Sequence, residues 1–124
     1  DWYSWHMESD SSFCKIDPTV TVSFPTGAPR KRICLYVECY YGEPAGTFVN
    51  ANALPGVYED SIGSKIRGVC TGASVNHGNT LSIWDASCPG QAAEESLNIY
   101  LKVWSDGHDC SLGFHTYSID VDHL

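Results

Sequence analysis

The residues most able to carry acid–base or metal chemistry are the histidines, and they are scattered along the chain. The five are His6, His77, His108, His115 and His123. No two of them stand at a spacing typical of a metal site. His108 lies within the segment Asp-Gly-His-Asp at 106–109, which could form a small acidic metal-binding turn, but we interpret it as a solvated loop. The histidines therefore predict neither a metal centre nor an active site.

Carboxylates and hydroxyls give no stronger indication of catalysis. A Gly-x-Ser-x-Gly nucleophile turn is absent from the sequence. A glycosidase needs two positioned carboxylates, and the chain offers many pairs without a spacing that selects one. His77, Glu38 and Arg67 could be assigned the roles of a small ribonuclease, but their spacing does not support it. We predict that the protein is not an enzyme.

Aromatic residues are concentrated at the start of the sequence, where Trp2, Tyr3 and Trp5 precede His6. Exposed Trp and Tyr side chains stack on sugar rings or anchor protein interfaces, so these three residues are a candidate binding surface. The alternative is that Trp2 and Trp5 cover the core of a small domain. We favour the core interpretation and keep the binding surface as the alternative.

The cysteines are spread along the whole chain and even in number. They are Cys14, Cys34, Cys39, Cys70, Cys88 and Cys110. In so short a chain this pattern predicts three disulfides in an oxidising compartment, although the sequence does not determine their pairing. Zinc binding is disfavoured because no Cys-x-x-Cys pair is present. The chain begins Asp-Trp-Tyr without an apolar signal segment, so we expect a mature secreted, extracellular protein.

A tribasic run, Arg30-Lys31-Arg32, is the kind of site that a furin-like secretory protease cuts. Cleavage after Arg32 would leave residues 1–32 attached through a disulfide of Cys14. The alternative is a solvated basic turn, which we favour. The run is kept as a possible processing site.

Composition describes a small folded protein with an acidic surface. The 124 residues include 15 acidic and 7 basic side chains, which give a formal charge of -8. Binding to nucleic acid or to an anionic membrane needs clustered Lys and Arg, so neither partner is expected. No apolar run approaches the ~20 residues of a membrane-spanning helix. The expected partner is a protein, or a cell-wall component or other glycan.

Hydrophobic periodicity predicts that strands, rather than helices, position these residues. The segment 97–103 alternates apolar residues with Asn98, Tyr100 and Lys102. Further strand candidates lie at 19–24, 33–41, 47–49, 65–69, 80–84 and 114–121, between turns rich in Pro and Gly. One short helix is expected at 91–97. Many short strands with frequent turns predict an antiparallel sandwich or barrel.

A weak internal repeat runs through the strand-rich region. An aromatic residue is followed six positions later by Gly in the segments 36–42 and 84–90. Each segment contains a cysteine, Cys39 or Cys88, and a later Ser, Ser64 or Ser118, precedes or begins an apolar strand. The repeat indicates two similar strand–turn–strand units, with the Gly in a conformation that a side chain would disfavour.

This pattern resembles the Greek-key motif of the βγ-crystallin family, in which an aromatic residue, a Gly and a later Ser recur in this order. The resemblance covers residues 33–69 as a first motif and 81–121 as a second. It implies a single all-β domain over 1–124, a disulfide-stabilised sandwich of two Greek-key motifs with 1–32 as an N-terminal extension. Small secreted members include killer-toxin-like proteins and a metalloproteinase inhibitor, so the resemblance suggests a fungal origin.

The resemblance also implies a candidate calcium site. Family members bind calcium through paired acidic or amide residues, two spacers and then hydroxyls, and the candidate ligands here are Asp60, Ser64 and the backbone carbonyl of Ser61. Calcium prefers such oxygen ligands. Gly63 stands where the family has a coordinating hydroxyl, and the second motif lacks the acidic pair. We therefore expect no cofactor and keep weak calcium binding as the alternative.

Three functions remain open from the sequence. The first is a secreted, non-enzymatic interaction protein, such as a fungal effector or a killer-toxin-like antimicrobial. The second is a structural or stress protein with a degenerate calcium site. The third is a secreted protease inhibitor, whose exposed loop would be 72–79 between Cys70 and Cys88.

Overall fold

The described part of the chain consists of strands and connecting residues. The computed structural model describes residues 1–8, 17–23, 31–40, 42, 44–46, 48, 50, 52, 56–72, 78–83, 88, 96–105 and 118–123. The strands are β1 (Trp2–Glu8), β2 (Pro18–Ser23), β3 (Lys31–Cys39), β4 (Tyr58–Ile62), β5 (Ile66–Cys70), β6 (Gly78–Ser82), β7 (Ser96–Ser105) and β8 (Ser118–His123). None of the described residues forms a helix that is long and apolar enough to cross a bilayer.

The strands form two antiparallel sheets. Sheet A has the order β1-β7-β3-β5-β4, and sheet B has the order β6-β2-β8. Every pairing within them is antiparallel. The all-β prediction is therefore confirmed. The finer prediction of two Greek-key motifs stays a prediction, because most of the second motif's corner at 84–90 lies outside the described residues.

The period-2 pattern of β3 and β7 explains why these strands lie at the centre of sheet A. Ile33, Leu35 and Val37 of β3 are fully buried, as are Leu97, Ile99 and Leu101 of β7. Successive side chains of a strand point to opposite faces, so the odd-numbered residues form one apolar face. Burying each such side chain stabilises the fold by roughly 1.5–3 kcal/mol. Polar and aromatic residues at even numbers are thereby placed on the other face.

One buried cluster joins the two sheets. Val20 and Val22 of β2, Leu81 of β6 and the neighbouring Ile83 belong to the same core as the odd-numbered residues of β3 and β7. Ile119 and Val121 of β8 pack against it as well. The inner faces of sheets A and B therefore share a single hydrophobic core.

Most predicted strands lie within a few residues of observed ones. The candidates at 19–24, 33–41, 65–69, 80–84, 97–103 and 114–121 correspond to β2, β3, β5, β6, β7 and β8. Phe48, in the candidate at 47–49, is not in a strand. The predicted helix at 91–97 is wrong at its end, because Ser96 and Leu97 are the first residues of β7: Ser96 pairs with β1, and Leu97 pairs with both β1 and β3. The start of that segment lies outside the described residues.

Two disulfides are formed among the described cysteines. Cys34 of β3 is bonded to Cys70 of β5, and Cys39 at the end of β3 is bonded to Cys88. The disulfide prediction is confirmed for these four residues. Cys14 and Cys110 lie outside the described residues, so the third bond stays a prediction.

Candidate binding face

The outer face of sheet A, defined as the even-numbered side chains of its five strands, is rich in aromatic and polar groups. Directly paired residues of antiparallel strands place their side chains on the same face. One such row runs Ser4, Tyr100, Tyr36, Gly68 and Asp60 across all five strands. The odd-numbered face is turned toward the core, so this even-numbered face is the one available to a ligand.

Tyr36 reaches across β5 because the residue beside it is a glycine. A Cβ placed on Gly68 would lie 2.7 Å from Cδ1 of Tyr36, so the Tyr36 ring occupies the space of the missing side chain. The Tyr36 hydroxyl donates a hydrogen bond of 2.7 Å to Oδ2 of Asp60 on β4. Burial, and after it this hydrogen bond, raises the pKa of the Tyr36 phenol well above its usual value. The phenol is therefore a fixed, neutral donor that holds the Asp60 carboxylate.

A second tyrosine–carboxylate pair lies two residues further along β3. Oε1 of Glu38 accepts hydrogen bonds from the Tyr100 hydroxyl at 2.9 Å and from Nδ2 of Asn98 at 3.1 Å. Burial, followed by the bond to Glu38, raises the pKa of Tyr100. Within the described part of the chain, Oε2 of Glu38 accepts no hydrogen bond. The two bonds to Oε1 fix the orientation of the carboxylate, so Oε2 is held in place and is available to accept a hydrogen bond from a ligand hydroxyl.

His6 extends this polar group onto β1. Its Nε2 lies 2.9 Å from Oε1 of Glu8, its Nδ1 lies 3.3 Å from Oδ1 of Asn98, and its ring centroid is 4.4 Å from that of Tyr40. The hydrogen bond to Glu8 is the main cause that raises the pKa of His6 above 6.5. His6, Asn98 and Glu38 thus form a continuous polar strip across β1, β7 and β3.

Large aromatic side chains are also exposed on this face. Trp2 is 54% exposed and stacks on Tyr36 with ring centroids 5.9 Å apart, while Tyr40 and Tyr58 are 49% and 43% exposed. Large apolar groups left in solvent on a sheet face are more informative than buried ones, because they mark interaction sites when they cluster. The outer face therefore combines apolar ring surfaces with oriented hydrogen-bonding groups.

A group of two indoles and two cations, which we name the basic aromatic corner, lies at the end of the face where β1 begins. It consists of Trp2, Arg32, Lys102 and Trp104. The Nζ of Lys102 lies 5.7 Å from the ring centroid of Trp2 and 4.8 Å from that of Trp104. Cζ of Arg32 lies 5.3 Å from the Trp104 centroid, and its Nη2 donates to the Thr71 carbonyl at 3.2 Å. Cation–π attraction holds these side chains in place.

The predicted aromatic surface at 2–5 is divided between the two faces of β1. Trp2 lies on the outer face, whereas Tyr3 and Trp5 are half-buried and pack against the core. Alternation along the strand causes this division, since Trp2 is even-numbered and the other two are odd-numbered. The core interpretation therefore agrees with the position of Trp5 and not with that of Trp2, and a binding role of Trp2 stays a prediction.

The residues of the candidate calcium site lie in the β4–β5 hairpin. Asp60 and Ser61 are successive residues of β4, and Ser64 lies in the turn that follows. One carboxylate oxygen of Asp60 already accepts the Tyr36 hydrogen bond. Among the described residues, no group of three or more His, Cys, Asp or Glu side chains is placed to hold a metal ion. Calcium binding here stays a prediction, and the geometry does not favour it.

The remaining predicted sites are only partly described. Arg32 is half-buried in β3, where Lys31 pairs with Ser105 and Arg32 with Trp104, and Arg30 lies outside the described residues. A protease needs an extended free segment, so cutting after Arg32 would require β3 to leave sheet A. The predicted inhibitor loop at 72–79 lies mostly outside the described residues as well.

Sequence reasoning missed most of the outer face. The sequence predicts Tyr36 only as a residue of the repeat, and Tyr100 and Lys102 only as alternating residues of a strand. The signal was present in β7, where Asn98, Tyr100, Lys102 and Trp104 occupy the positions between buried residues. Two aromatic residues and a cation on the solvent side of one strand indicate a surface with a function.

Comparisons with protein-family models, curated proteins and solved structures give no match for this chain.

Proposed function

We propose that this protein is a secreted, non-enzymatic binding protein that recognises a glycan with the outer face of sheet A. The observation that carries the proposal is the exposed Trp2 ring on the same sheet face as the oriented carboxylate of Glu38 and the amide of Asn98. A sugar ring presents C–H groups on its faces and hydroxyls on its rim. An indole stacks on the C–H groups of the sugar face, and carboxylate and amide groups form hydrogen bonds with the hydroxyls on the rim.

The fixed geometry of the face supports binding rather than catalysis. The Tyr36 and Tyr100 hydroxyls each hold a carboxylate, so the polar groups are oriented before a ligand arrives. Groups that are already ordered lose less entropy on binding. The proposal keeps effector or killer-toxin-like antimicrobial activity as the biological consequence of glycan recognition, and the secreted location is supported by the two disulfides.

Native gel electrophoresis through soluble xylan, mixed-linkage β-glucan and galactomannan tests the proposal, together with pull-down on cellulose and chitin. We expect at least one glycan to retain the protein, and Trp2→Ala to weaken this retention at least about ten-fold, which corresponds to 1.4 kcal/mol. Truncating a central aromatic anchor has effects of this size in binding interfaces.

Trp5→Ala is the matched control, because it removes the same side chain from the inner face of the same strand. It should retain glycan binding, provided that circular dichroism shows a folded protein. The proposal would be wrong if no glycan, neutral or acidic, bound the protein, or if Trp2→Ala bound as tightly as the unchanged chain. Release of new reducing ends from a bound glycan would contradict the non-enzymatic part.

A further inference from the structure

The basic aromatic corner differs chemically from the rest of the outer face. Along β7, Asn98 belongs to the polar strip with Glu38 and His6, whereas Lys102 lies four residues further on between two indoles. A strand rises about 3.3 Å per residue, so the two positions are roughly 13 Å apart. The face therefore has an acidic end and a cationic end, separated by about the length of two sugar rings.

Lys102 has no acidic partner among the residues that the structure describes. Within the described part of the chain, its ammonium contacts only the rings of Trp2 and Trp104, and no carboxylate lies within ion-pair distance. Rings attract the charge without neutralising it, so Nζ keeps donors for an anion. The exposed Trp2 ring beside it offers a stacking surface for whatever carries that anion.

We propose that this corner binds a carboxylate-bearing sugar, with its carboxylate on Lys102 and its ring on Trp2. The inference rests on the proposed glycan-binding function and specifies the class of glycan. Two electrostatic effects determine which ligand fits. Lys102 attracts a single carboxylate at short range. The formal charge of -8 on the whole chain repels a ligand with many negative charges. The ligand is therefore an oligosaccharide with a single acidic sugar.

The test compares matched ligands that differ only in this charge. The probes are glucuronyl-xylose with its methyl ester, and 3′-sialyllactose with its methyl ester, followed by tryptophan fluorescence and by ligand-observed nuclear magnetic resonance. We expect at least one acid to bind about two- to five-fold more tightly than its ester at low salt, as for a partly exposed ion pair. The preference should shrink in 1 M NaCl, which screens exposed charges.

Two variants with the same change of net charge locate the effect. Lys102→Gln should abolish the preference for the acid over the ester while retaining binding of the ester. Lys65→Gln, in the exposed turn of the β4–β5 hairpin, should keep the preference. Trp2→Ala should weaken binding of acid and ester alike.

The outcomes separate this inference from the proposed function. Equal binding of acid and ester, or an acid preference that survives in Lys102→Gln, would overturn the inference and leave glycan binding intact. Tighter binding of polygalacturonate than of either single-acid probe would overturn it as well. If neither these probes nor the neutral polysaccharides bound, the proposed function itself would fail.

Discussion

Two tyrosine hydroxyls determine how the carboxylates of the outer face are oriented. Tyr36 holds Asp60 and Tyr100 holds Glu38, in both cases as the donor. A bond from a neutral donor to a carboxylate is stronger than one between neutral groups. Phenols ordinarily titrate at about pH 10, and the pKa of both is raised further, so the two donors and the orientation of the carboxylates persist across the physiological pH range.

His6, on this face, titrates near neutral pH, and the hydrogen bond to Glu8 raises its pKa. Because the pKa of folded His6 is raised above 6.5, we expect its contribution to stability to be complete below pH 6.5 and to be lost as the pH rises through the folded pKa. Glu8→Gln should return the pKa toward 6.5. Nuclear magnetic resonance titration of the His6 ring protons measures this change.

The matched control for that titration is Glu59→Gln, which removes an exposed acid from the opposite face of sheet A. It should leave the pKa of His6 unchanged. An unchanged pKa in Glu8→Gln would show that Glu8 does not hold the imidazolium.

Strands β3, β5 and β4 depend on one glycine for their close approach on the outer face. An added Cβ on Gly68 would collide with the Leu35 carbonyl oxygen and would lie 2.8 Å from Cα of Tyr36, and both are backbone atoms that move only with their strands. The Tyr36 ring covers Gly68 and so replaces the packing that its own side chain would supply. Glycine is required here by space, not by its backbone angles.

We expect Gly68→Ala to destabilise the fold by about 1–3 kcal/mol or more, the usual cost of overpacking. It should also break the Tyr36–Asp60 hydrogen bond, since the ring must move. Denaturant unfolding measures the first effect. A Gly68→Ala protein as stable as the original would contradict the close packing of β3 against β5.

Gly63→Asn provides the control at the end of the same hairpin. Gly63 has a φ of +64°, which Asn tolerates, and an added Cβ would meet no atom within 4 Å. This change should therefore cost little.

The strands were predictable wherever one face is apolar. The alternation of 97–103 located β7 because every second residue is buried. Strand β4 was missed because all five of its residues are exposed, so it has no period-2 pattern. Strand β1 was missed because aromatic residues occur on both of its faces. The outer face depends on register between distant strands, such as Tyr36 beside Gly68, and the sequence does not state register.

At the scale of the whole molecule, two covalent links tie distant parts of the chain together, one between β3 and β5 within sheet A and the other between the end of β3 and Cys88. The bonded cysteines are 36 and 49 residues apart in sequence, so each bond removes a large loop entropy from the unfolded chain. The loop-entropy relation gives about 4 kcal/mol for each. A domain of this size has a total stability of roughly 5–15 kcal/mol. The bonds are therefore a major part of what keeps the molecule folded.

We expect full reduction to lower the midpoint of denaturant unfolding strongly, and the double variants Cys34→Ala/Cys70→Ala and Cys39→Ala/Cys88→Ala each to lose about 2–4 kcal/mol. Non-reducing peptide mapping by mass spectrometry checks the two pairs and the predicted bond between the remaining cysteines, Cys14 and Cys110. Recovery of a Cys34–Cys39 peptide link would contradict the observed pairing. Unfolding that is insensitive to reductant would contradict their importance for stability.

The pairing of β1 with β7 also constrains the order of folding. Trp2 pairs with Lys102, and the Val103 amide donates to the Asp1 carbonyl at 2.9 Å, so partners lie almost a whole chain apart. Such non-local contacts form slowly, because the entropy of closing a long loop is lost before the contacts can stabilise the fold. During synthesis β1 leaves the ribosome long before β7 exists. Strand β1 therefore lacks its partner until β7 has been synthesised, and the face that carries Trp2 is completed only then.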